Sequence, residues 1–234
     1  MYRKNALLIL LVALAFALSP LLSSGFNGFA PDQFPIPQDN PPVQPAGYAF
    51  AIWGVIYLWL IAGAAFGLWD RASDPDWEPM RPALGVSLLI GAAWIPVAQL
   101  SPLWATVLIW AMLATAVLAL WRAGRADHGW LRAPIGLYAG WLTAASSVAL
   151  GLMLAGHGIL SAQAAAYAGI TLALLLALAV QALRPDTPSY PAAVIWALVG
   201  VIVANLDGPN WGVLALVAAG IALIGWRAAL NLRA

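Results

Sequence analysis

Residues 41–69 read PPVQPAGYAFAIWGVIYLWLIAGAAFGLW, a proline-rich approach that turns into a long apolar run. The run predicts a membrane helix over about 48–69, because some 20 apolar residues are needed to cross a hydrocarbon core about 30 Å thick. Phe50, Trp53 and Tyr57 recur at i, i+3 and i+7, so they share one face of that helix. Trp59 lies on the same helix, off that stripe. An aromatic stripe of this kind either packs against neighbouring helices or lines an apolar pocket, and the stripe alone leaves both readings open.

The rest of the chain has the same character. Of 234 residues, 63% are hydrophobic and 8% are charged. Soluble domains carry about 25% charged residues, so the composition is that of an integral membrane protein. There is no cysteine, which excludes disulfides, thiolate catalysis and cysteine-held metal. No basic cluster points to nucleic acid.

Eight spans follow from the hydrophobic runs. The first is Ala6 to Leu22, behind Tyr2-Arg3-Lys4; a cleavable signal peptide with a small-residue site at Ser23-Ser24-Gly25 is the competing reading. Pro82 to Trp121 is too long for one span, at about 60 Å and 1.5 Å per residue, so it divides at Ser101-Pro102. The remaining spans are about 133–155, 159–183, 191–205 and 211–230. With the N-terminus inside, all ten Lys and Arg residues fall in inside segments, while the outside loops carry Asp32, Asp39 and Asp207. That partition predicts an N-in, C-in topology.

No Asp, Glu, Lys, Arg or His lies deep in any span. The usual markers of proton relays and ion-coupled transport are therefore missing, as are the usual general acids and bases. No catalytic residue and no metal site is predicted. His128 and His157 fall in loops on opposite faces, where a solvated role outweighs a ligand role. Thr143, Ser146 and Ser147 are expected to bond back to their own helix.

Thirteen tryptophans are the unusual feature. Trp69, Trp77, Trp121, Trp130 and Trp226 fit an inner interfacial belt, and Trp104 and Trp211 an outer one. Trp53, Trp59, Trp94, Trp110, Trp141 and Trp196 lie within spans. Pro96 follows Trp94 by two residues, removes a helix hydrogen bond and predicts a kink in the third helix.

The proline-rich entry with Trp53-x-x-x-Tyr57 resembles the second helix of the translocator protein family, the tryptophan-rich sensory proteins. Leu89 to Trp94 resembles that family's third helix, and Tyr138-Ala-Gly-Trp141-Leu-Thr-Ala-Ala its fifth. Gly91 and a position near Ala149 stand where the family usually carries Asn, and Ala49 stands where it carries Phe. The resemblance implies an all-α polytopic membrane protein of about eight transmembrane helices. It implies a five-helix core over 1–158 and a three-helix extension over 159–234. It also implies an apolar planar ligand, a tetrapyrrole or a sterol-like molecule, with a sensory or regulatory role and a bacterial inner-membrane location. The expected ligand-binding residues are Phe50, Trp53, Tyr57, Trp94, Tyr138 and Trp141, beneath a lid that includes Pro41, Pro42 and Pro45. A homodimer stays open. A small-molecule permease, using hydroxyls with Gln99, Gln163 and Gln181, and a scaffold with packing aromatics are the alternative readings.

Overall fold

The computed structural model describes residues 2–23 and 26–233. Among them are eight α-helices, three short 3-10 turns and no strand. The helices are α1 (Tyr2–Leu18), α2 (Ile52–Trp69), α3 (Arg81–Leu100), α4 (Pro102–Arg122), α5 (Arg132–Gly156), α6 (Ala162–Leu183), α7 (Ser189–Ala204) and α8 (Trp211–Asn231). The chain is an all-helical polytopic membrane protein. Seven of the helical segments are long and apolar enough to cross a bilayer. The exception is α7, whose 16 residues reach about 24 Å, less than the hydrocarbon thickness of about 30 Å.

Local chemistry sets the ends. Ser101 stops α3 in an extended conformation, and its hydroxyl then caps α4 by accepting from the Trp104 amide at 3.3 Å. Pro102 supplies the first helical position of α4, where no amide donor is needed. Ser161 and Asn210 cap α6 and α8 in the same way. Helix α3 continues through Pro96 to Leu100. The small-residue site at Ser23-Ser24-Gly25 falls partly outside the described residues.

The central column is α5, not the aromatic α2: 19 of its 25 residues are buried. It packs against α2, α4, α6 and α7. Small residues allow this. At Gly140 a side chain would collide with the Tyr190 carbonyl, so α7 approaches the α5 backbone directly. Buried hydroxyls tie the column together. Ser87 donates to the Met112 carbonyl at 2.8 Å, which leaves the Tyr138 hydroxyl to donate to Ser87 at 2.9 Å. Tyr190 on α7 meets Thr143 on α5 at 2.8 Å. Thr143 and Ser147 bond back to their own helix, as expected, but Ser146 reaches across to the Ile109 carbonyl of α4 at 3.3 Å.

One end of the bundle is charged. Arg71 pairs with Asp127 at 2.7 Å, Arg132 pairs with Asp186, and the buried Arg81 pairs with Glu78 at 2.6 Å. Arg184 donates to the carbonyls of Trp121 and Ala123 at the end of α4. Trp77 also belongs to this network and not to an interfacial belt. It is 1% exposed, fits against Gly67, and donates to Asp127 at 3.0 Å. Trp69, Trp121, Trp130 and Trp226 are exposed at this end, and Trp104 and Trp211 at the other.

The opposite end carries the long loop between α1 and α2. The loop is tied to three helix ends. Gln33 donates to the Ala98 carbonyl at 3.0 Å, the Ile36 amide to Gly156 at 2.8 Å, and the Ala46 amide to Gly200 at 3.0 Å. Asn205 adds a bond to the Pro42 carbonyl at 3.0 Å.

Candidate functional site

Beneath that loop lies an aromatic chamber with two lobes. The smaller lobe, about 50 Å³, is walled by Phe26, Phe29, Pro45, Phe50, Trp53, Trp94, Trp141 and small residues of α5. The larger, about 230 Å³, is walled by Phe16, Pro20, Asn27, Tyr57, Gly91 and residues of α3 and α4. Phe26, Phe50, Trp53, Trp94 and Ile109 border both.

The helical spacing of α2 produces the centre of this arrangement. Trp53 stacks on Tyr57 one turn later, with centroids 5.4 Å apart and planes 16° from parallel. Trp141 meets Trp53 edge-on at 6.0 Å and Phe50 edge-on at 5.8 Å. The sequence-predicted set therefore converges, with differences in placement. Phe50, Trp53, Trp94 and Trp141 border the smaller lobe, and Tyr57 borders the larger. Tyr138 borders neither. It is fully buried behind Phe16 and Trp53, with its hydroxyl on Ser87. Of the lid prolines, Pro45 borders the chamber, whereas Pro41 and Pro42 line a separate outer hollow of about 440 Å³ beside the α5–α6 turn.

Three aromatics escaped the sequence reading. Phe16 of α1 sits edge-on to Trp53, Tyr57 and Tyr138, at 5.7, 4.9 and 5.7 Å. Phe26 and Phe29, in the loop, lie 4.7 and 6.4 Å from Trp94. Helix α7 also contributes, since Ala197 borders the smaller lobe. Helix α7 also approaches α5 closely at Gly140.

The chamber is apolar and uncharged. Among the described residues no Lys, Arg, His, Asp or Glu borders either lobe. Its hydrogen-bonding side chains among the described residues are Gln44, Asn27, Tyr57 and the indoles. Among the described residues no group of His, Cys, Asp or Glu is placed to hold a metal ion. Such a wall offers burial, ring stacking and a few hydrogen bonds.

Fold and chamber together define a polytopic helical membrane protein with an aromatic-walled intramembrane cavity. The chain belongs to the TSPO-like protein family, whose model matches residues 6–227 and so extends from α1 into α8. Neither the curated proteins nor the solved structures gave a match.

Proposed function

We propose that this protein binds an apolar, flat molecule in the chamber between α2, α3 and α5, and that a sensory or regulatory output reads its occupancy. The observation that carries the reading is the convergence of Phe50, Trp53, Trp94 and Trp141 on one uncharged lobe. Membership of the TSPO-like family supports it. The ligand-binding residues are those four together with Tyr57, with Tyr138 backing them, and the loop carrying Pro41, Pro42 and Pro45 is the cover. Tetrapyrroles and sterol-like molecules are the candidate ligands. The lobes, at about 230 and 50 Å³, are smaller than the roughly 300–1,000 Å³ of ligand pockets in general. Admitting a tetrapyrrole therefore requires part of the wall to move, and the loop rings Phe26 and Phe29 belong to that wall.

The same proposal places both termini in the cytoplasm of a bacterial inner-membrane protein, because the basic residues gather at the end away from the chamber. It keeps residues 1–158 as the binding core and 159–234 as an extension that buttresses it through α7.

The test is titration of the purified protein with tetrapyrroles and sterols, read by tryptophan quenching. Saturable quenching that Trp53→Ala weakens supports the reading. Quenching that no ligand produces leaves the scaffold reading in its place. Flux in proteoliposomes separates binding from a permease.

A further inference from the structure

Trp141 holds an indole N–H with nothing to bond. The residue is 2% exposed and borders the smaller lobe, and its Nε1 has no acceptor. The other two buried tryptophans are satisfied: Trp77 donates to Asp127 at 3.0 Å and Trp94 to the Ala105 carbonyl at 2.8 Å. Buried indoles nearly always find a partner, so an orphan in the wall of a cavity calls for one. A lone water is a poor candidate. Buried waters make two to four polar contacts, and the described side chains of this wall add Gln44 and two further indoles, of which Trp94 is already bonded. An acceptor atom on an otherwise apolar molecule satisfies the indole without stranding other hydrogen bonds.

Charge narrows the class further. Neither lobe is bordered by a cationic side chain. The loop above carries Asp32 and Asp39 and no Lys or Arg. A carboxylate buried here would have no cationic partner, at a cost that a neutral hydrogen bond and ring contacts do not offset.

We infer that Trp141 Nε1 is a specificity-determining donor, and that the ligand is an uncharged, mainly hydrocarbon molecule presenting a ketone, ester or ring carbonyl to the smaller lobe. This rests on the chamber being a binding site. It selects neutral carbonyl compounds over tetrapyrroles that carry free carboxylates.

Three probes of matched shape test it: acetylnaphthalene, isopropylnaphthalene and naphthoate, substituted at the same ring position. Each is measured by equilibrium dialysis against the full-length protein in nanodiscs, with empty nanodiscs subtracted. The ketone is expected to bind about tenfold tighter than the hydrocarbon, the value of one buried hydrogen bond, and the carboxylate weakest. Trp141→Phe should remove the ketone's advantage over the hydrocarbon, so that the ratio of the two affinities falls to about one whatever the smaller ring does to both. In the wild-type protein the bound carbonyl stretch should shift to lower frequency, a readout that stands even if the variant misfolds. Equal wild-type affinities for ketone and hydrocarbon, a preference that survives Trp141→Phe, or an unshifted carbonyl band each overturns the donor role. Naphthoate binding as tightly as the ketone overturns the exclusion of anions. If the hydrocarbon itself fails to bind, the chamber is not a binding site, and the proposed function falls with this inference.

Discussion

Phe16 on α1 fills the space that a side chain on Gly91 of α3 would need: a Cβ at Gly91 would lie 2.5 Å from Phe16 Cε2 and 3.0 Å from Met112 Cε. The absent side chain is what lets Phe16 reach Trp53, Tyr57 and Tyr138 together. Gly91→Ala should therefore destabilise the protein by about 1–3 kcal/mol, the usual cost of overpacking a tight core. Thermal unfolding in detergent measures it. Combining it with Phe16→Leu should recover part of the loss, since the two sites share one space. Strict additivity of the two changes would mean that Phe16 is not the obstacle.

Trp53 and Trp226 form a matched pair of tests. Trp53 borders both lobes, whereas Trp226 is exposed near the end of α8. Trp53→Ala should weaken ligand binding by about 1–3 kcal/mol, the scale for a buried apolar side chain. Trp226→Ala should leave affinity nearly unchanged. Quenching titrations on both variants decide it. Equal losses would show that the aromatics act through folding in general.

How much of this arrangement the sequence made legible depended on local signals. Ser101-Pro102 divides α3 from α4 because a short polar break is visible without knowing the fold. The aromatic face of α2 is visible because helical spacing alone brings Trp53 onto Tyr57. Phe26 and Phe29 gave no comparable signal, for a loop has no period and only its prolines stood out. Trp77 was misread as an interfacial residue because sequence gives depth along a helix or loop but not the direction a ring points. Its placement depends on Gly67 of another helix and Asp127 of another loop. The centrality of α5 gave little signal because nearly half of its buried residues are Gly and Ala, which score as weakly hydrophobic however tightly neighbours pack on them.

The charged end should give the fold an acid-sensitive latch. The hydrogen bond from Arg71 does most to hold the Asp127 carboxyl below the usual carboxylate range. Burial opposes it, and the Trp77 indole adds a second donor. A depressed carboxylate contributes stability that is present above its unfolded pKa and lost as pH falls through the folded value. Asp127→Asn should therefore lower the melting temperature at neutral pH, and the gap to wild type should close in acid. Melting curves across the acid range check this. A gap independent of pH would mean that the ion pair does not contribute.

Orientation can be read directly. Reporter fusions after Asp127 and after Arg233 should report the cytoplasm, and one after Asp39 the opposite side, because basic residues in short loops are retained inside. The 16-residue α7 makes this more than routine, being the shortest of the eight helices and the one not long enough to count as a span. If α7 fails to cross, the fusion after Arg233 reads external while the one after Asp127 stays cytoplasmic.

The part of the loop nearest α2 is fastened to α7, and this sets the last expectation. Trp196 donates its indole N–H to the Ala49 carbonyl at 2.8 Å, in the turn that leads into α2. Pro45 rests on Gly200, whose carbonyl accepts from the Ala46 amide. Trp196 is 38% exposed and borders neither lobe, so removing its donor should not alter the binding wall. Trp196→Phe keeps a ring against Tyr48 but deletes the bond to Ala49. One such bond is worth about 1 kcal/mol, so ligand release should quicken by about fivefold. Melting temperature should change little. Stopped-flow dissociation measures the rate, and calorimetry the stability. An unchanged release rate would mean that ligands leave without the Pro45 segment lifting, by way of the larger lobe between α1 and α3.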